Sequence, residues 1–72
     1  MLKEMEKYHL SNSHWLELIN EWVHSERDRY ILKRKLIDKH TFEDIAEEVG
    51  MSDRQIKTIV TKNFAEIITH IP

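Results

Sequence analysis

Ser52, Asp53, Arg54, Lys57, Thr58 and Thr61 share one side of a helical wheel whose other side carries Ile56 and Ile59. These side chains are either short enough to approach a DNA groove or long enough to reach into one. Arg54 is the candidate base reader, because a guanidinium gives two parallel hydrogen bonds to guanine, worth about 1–3 kcal/mol of discrimination. Lys57 could read a base or hold a phosphate, and Thr58 and Thr61 could offer a hydroxyl to phosphate or a methyl group to thymine. Lys62, together with Lys33 and Arg34 from an earlier segment, is a candidate to grip the flanking phosphate backbone. Asp53 has two readings: it accepts a hydrogen bond from cytosine, or at a helix start it favours the dipole or orients Arg54.

Other chemistries fit less well. His9, His14, His24, His40 and His70 lack the four-residue helical spacing that puts two imidazoles on one metal, and there is no cysteine, so neither a metal nor a cofactor is expected. Glu47 and Glu48 are adjacent, and adjacent helical residues diverge, so they do not flank one substrate atom. Trp15 and Trp22 could stack on bases, but their spacing among Leu18 and Ile19 is that of a core.

The elements that must position the candidate face are legible from caps and stripes. TFEDIAEEVGMSDRQIKTIVTKN, from Thr41 to Asn63, reads as two short amphipathic helices meeting at Val49-Gly50-Met51, with small Ala46 at their contact and Gly50 at the turn. That pattern predicts a helix-turn-helix. Ser25 with Asp28, Thr41 with Asp44 and Ser52 with Gln55 each have capping-box spacing, and Met51 can staple onto Ile56. An earlier helix is expected from His14 to Val23, with Trp15, Leu18, Ile19 and Trp22 on one face. Ile31, Leu32 and Leu36 form the inward stripe of the next, and Phe42, Ile45, Ala46 and Val49 that of the third. The last helix has no stop signal before Pro72. Its stripe runs through Ile56, Ile59, Val60, Phe64, Ile67, Ile68 and Ile71, and the part from Phe64 onward is expected to cover the Trp15 and Trp22 helix. Its spacing also approximates a coiled-coil seam, which leaves a homodimer as the alternative.

The expectation is therefore an all-α fold, a single four-helix domain over residues 1–72, in which residues 1–24 cover a helix-turn-helix unit at 25–72. With 72 residues there is little material for the walls of a catalytic cleft, and no enzyme is expected. One glycine and one proline suit helices and leave few turns for a sandwich. The absence of cysteine fits a reducing cytoplasm, and MLKEMEKYHL has neither a signal peptide's apolar run nor a membrane span. The net charge of −2 runs against nucleic-acid binding, so the distribution must compensate. Acids gather at Glu4, Glu6, Glu17 and Glu21 and again at Glu43, Asp44, Glu47 and Glu48. Arg27, Arg29, Lys33, Arg34 and Lys35 cluster, and Arg54, Lys57 and Lys62 share the last helix.

From Ser25 to about Ile67, SERDRYILKRKLIDKHTFEDIAEEVGMSDRQIKTIVTKNFAEI resembles region 4 of bacterial sigma-70-type RNA polymerase sigma factors. ERDRYIL resembles that region's opening helix, and TFEDIAEEVGMS followed by QIKTI resembles its helix-turn-helix. The helix-turn-helix of quorum-sensing and response regulators is a near second match. The resemblance implies DNA binding in a bacterial or phage cytoplasm and, for a true sigma region 4, contact with promoter −35 DNA and the polymerase flap. The chain has no room for the promoter-melting region of a sigma factor, which makes it resemble a stand-alone regulator of phage or mobile-element origin. Asp53-Arg54 reverses the family's basic-then-acidic pair, and Lys39-His40 stands where related sequences often have glycine, so Asp38 or Lys39 is expected to take an unusual backbone angle.

The leading expectation is sequence-specific binding of double-stranded DNA by a non-catalytic transcription regulator. The alternative is a protein-interaction module that docks on RNA polymerase or another regulator through the apolar second and fourth helices. A small terminase-like packaging subunit is a third option. A dimer would read two half-sites about 34–36 Å apart, and a monomer only one.

Overall fold

Four hydroxyl side chains begin the four helices of the described residues. The computed structural model describes residues 10–71, and within them α1 spans Asn12–Trp22, α2 Glu26–Leu36, α3 Phe42–Val49 and α4 Asp53–Ile68, with no strand. Ser11, Ser25, Thr41 and Ser52 sit just before them in extended backbone, and each side-chain oxygen accepts from the amide three residues on. The first helix thus begins two residues earlier than the expected His14, because Ser11 is its cap. Glu4, Glu6, His9 and the opening stretch of the expected covering segment lie outside the described residues, as does Pro72.

One of the three expected capping boxes closes in both directions. Gln55 Oε1 accepts from the Ser52 amide at 2.9 Å while the Gln55 amide donates to Ser52 Oγ at 3.1 Å. At Ser25 and Thr41 only the forward half forms. Aspartate is a methylene shorter than glutamate or glutamine, and Asp28 is occupied by Arg27 Nε at 3.2 Å and Asn63 Nδ2 at 3.3 Å.

The helix ends explain the path between elements. Gly50 closes α3 with φ 71°, and the Met51 amide reaches back to the Ala46 carbonyl at 3.0 Å. A Cβ built on Gly50 meets nothing within 4 Å, so the backbone angle, not crowding, is what favours glycine there. The α2–α3 turn has no glycine. Lys39 takes the left-handed conformation at φ 61°, one of the two positions expected to do so. Lys35 supports that turn from inside: its Nζ donates to the His40 carbonyl at 3.2 Å and lies 4.3 Å from the centre of the Phe42 ring. α4 ends at Ile68, short of the expected run to Pro72, as the amides of Thr69, His70 and Ile71 each bond three residues back and tighten the last turn.

The core is one cluster drawn from all four helices and the loop after α1. Trp15, Leu18, Ile19 and Val23 meet Ile31, Leu32 and Leu36, then Ile45 and Ala46, then Ile56, Val60, Phe64 and Ile67. α4 packs against each of the other three helices, which is why it is the longest and carries the longest stripe. Phe64 meets Trp15 edge to face at 6.0 Å between ring centres, and His70 lies flat on Trp22 at 3.5 Å. The expected intramolecular cover is thus present. The stripe that could have formed a coiled-coil seam is spent inside the chain, and so are the apolar faces of α2 and α4 expected to dock a protein partner. Among the described residues no helix is long and apolar enough to cross a membrane.

Candidate nucleic-acid interface

The burial of Ile56 and Val60 fixes the rotation of α4. Both are at 0% exposure, so the far side of the helix faces solvent, and Ser52, Asp53, Arg54, Lys57, Thr58, Thr61 and Lys62 are all exposed. The reciprocal cap at Ser52 and the turn at Gly50 set the start of this face.

Five of these residues converge. Arg54, Lys57, Thr58, Thr61 and Lys62 line one open surface depression. A second depression shares Arg54 and Thr58 and is completed by Arg27, Met51, Gln55 and Ile59. Arg27 was in the expected basic cluster but not among the candidate site residues. It arrives there because the start of α2 packs beside the middle of α4, where Asn63 donates to Asp28. That proximity is a tertiary fact with no local sequence signal.

Arg54, Lys57 and Lys62 make no ion pair among the described residues, so their charges are available to an outside anion. Asp53 makes no bond to Arg54 and stands in the first turn of α4, where a carboxylate favours the helix's positive end. The Ser52 hydroxyl is committed to the cap: it accepts from the Gln55 amide and lies 3.2 Å from Gln55 Oε1, to which it can donate. Thr58 Oγ1 donates to the Arg54 carbonyl at 2.9 Å.

The α2 cations divide differently from expectation. Arg34 does not reach the α4 face. Its Nε and Nη2 hold the two Glu48 oxygens at 3.1 and 2.9 Å, its Nη1 holds Asp38 at 2.9 Å, and the Tyr30 hydroxyl donates to the same Glu48 carboxylate. Two carboxylates more than offset its single charge, which makes it a tie between α2 and α3 and not the expected phosphate grip. Lys33 is half-buried and lines neither depression. Arg29 Nε donates to the Val23 carbonyl, and Lys35 is buried. Burial pushes the Lys35 ammonium below its ordinary pKa, and the Lys39 charge adds to that push.

The neighbouring surface is acidic. Every charged residue of α3 is a carboxylate, and Glu43, Asp44 and Glu47 are exposed while Glu48 turns to Arg34. His40 lies 3.9 Å from Asp44, and His70 lies 3.7 Å from Glu66. Among the described residues no three His, Cys, Asp or Glu side chains gather as a metal site would need. No family model, curated protein or solved structure matches the chain.

Proposed function

We propose that α3, the Gly50 turn and α4 form a helix-turn-helix, similar to sigma region 4, and that the protein is a non-catalytic transcription regulator that binds double-stranded DNA in a sequence-specific way. The observation that carries the reading is the outer face of α4. Its three cations are exposed and unpaired, it projects from the side opposite the buried Ile56 and Val60, and a reciprocal cap holds its first turn. Arg54, near the helix start, is suited to a base edge, and Lys57, Lys62 and Arg27 around it are suited to phosphates. The acidic balance of the whole chain does not oppose this, because binding responds to the charge on the surface that meets the duplex and no acid of α3 lines either depression on that face. The bacterial cytoplasm is the compartment that goes with this role.

Titrating the protein onto random and selected duplexes at several salt concentrations tests the reading. Three phosphate contacts predict an affinity loss of about 40-fold between 50 and 200 mM salt, from a slope of about −0.9 per contact. Absent or salt-insensitive binding by a folded protein would sink it.

A second reading is a protein-interaction module that docks on RNA polymerase or another regulator. With the apolar faces of α2 and α4 covered, what favours it is the exposed acidic face of Glu43, Asp44 and Glu47, which suits a basic partner surface. The same titration separates the two.

A further inference from the structure

Thr58 is exposed, sits on the boundary shared by both surface depressions and has Arg54 and Lys57 as neighbours. Its hydroxyl has no choice of role in the bond it makes. The partner is the Arg54 carbonyl oxygen, which only accepts, so the single hydroxyl proton is spent on the helix's own backbone. Threonine Cβ carries one oxygen and one methyl group. With the oxygen folded back on the preceding turn, the methyl is the substituent left to meet an approaching surface, and the bond holds χ1 in one well.

That arrangement decides between the two roles open to a threonine on such a face. A phosphate needs a donor, and this hydroxyl no longer offers one. In the major groove the one apolar group on a base edge is the C5-methyl of thymine. Resting on the DNA-binding reading above, we propose that Thr58 is a specificity-determining residue that selects a thymine through methyl–methyl contact, beside the position where Arg54 reaches a base. The long cations on either side hold the duplex and exclude water around the contact, and an apolar contact gains from that exclusion.

The experiment uses the full chain and a duplex selected from a random pool. Each thymine of the selected site is replaced in turn by uracil, which keeps the pairing edge and lacks only the C5-methyl. One replacement should weaken binding about threefold to tenfold, the size of a lost methyl burial. Thr58→Ser keeps the hydroxyl and removes the methyl, so it should bind the thymine and uracil forms of that site equally. Thr58→Val keeps a methyl and removes the hydroxyl, so it should retain the preference for thymine. Circular dichroism confirms that both variants keep the helical fold. If no thymine responds, or if Thr58→Ser discriminates as the parent does, Thr58 does not read a methyl group while salt-dependent duplex binding leaves the DNA reading standing. If no duplex is bound at all, both fall together.

Discussion

The Arg34 guanidinium grips both oxygens of Glu48, at 3.1 and 2.9 Å, and in doing so fastens the last turn of α2 to the end of α3. Both side chains are about three-quarters shielded or somewhat less, at 25% and 32% exposure. The fork geometry and the Tyr30 hydroxyl on the same carboxylate set it apart from ordinary surface pairs. A double-mutant cycle of Arg34→Ala and Glu48→Ala should give a coupling of about 1 kcal/mol in urea unfolding, reduced in high salt. Additive single losses would show that the two charges do not support each other. Duplex affinity should change little in Arg34→Ala, since this cation is not on the α4 face.

Lys39 holds a left-handed angle at φ 61° without being glycine, which costs a side-chain-bearing residue about 1–2 kcal/mol. Lys39→Gly relieves that strain and also removes the positive charge acting on Lys35. Part of the gain is lost to the extra freedom of the unfolded chain. The net expectation is a stabilisation of up to about 1 kcal/mol, read from the thermal or urea midpoint. A destabilised Lys39→Gly would mean that the Lys39 side chain contributes something the backbone angle conceals.

Lys35 predicts a pH dependence with a definite sign. Burial, and then Lys39, lower its pKa in the folded protein below the 10.5 it has when exposed. The unfolded chain therefore binds more protons in the interval between the two values, and stability rises with pH there. The penalty is fully present below the folded pKa and is gone once pH passes 10.5. Lys35→Met has no proton to lose, so the stability of the parent relative to Lys35→Met should climb across that interval. Differences that stay parallel with pH would show that the ammonium is not held at a cost.

What was legible in the sequence was local. Ser25, Thr41 and Ser52 announce helix starts because a cap acts over three residues, and Gly50 announces a stop because one backbone angle demands it. The stripe on α4 told which side would be buried, and with it which side would carry Arg54 and Lys57. Ser11 does not stand out as the cap, because Ser11, Asn12 and Ser13 are all plausible caps in a row. Charges were the poorly legible part. Arg27, Arg29, Lys33, Arg34 and Lys35 read as one basic cluster, yet the fold sends Arg34 to Glu48, Lys35 under the α2–α3 turn and Arg27 toward Arg54, since pairings between helices follow no period along the chain.

Arg54 and Lys57 occupy the same depression and should fail in different ways when truncated. A guanidinium that makes two bonds to one base carries sequence information, so Arg54→Ala should cost about 1–3 kcal/mol on the selected site and far less on random duplex, narrowing the gap between them. An ammonium on phosphate carries none. Lys57→Ala should weaken both duplexes alike and lower the steepness of the salt dependence by about one. Neither variant should lose fold stability beyond a few tenths of a kcal/mol, because both side chains are exposed and unpaired. If the two substitutions instead exchange these signatures, Lys57 is the base reader and Arg54 the phosphate contact, and the register of α4 in the groove is one turn further along than its cap suggests.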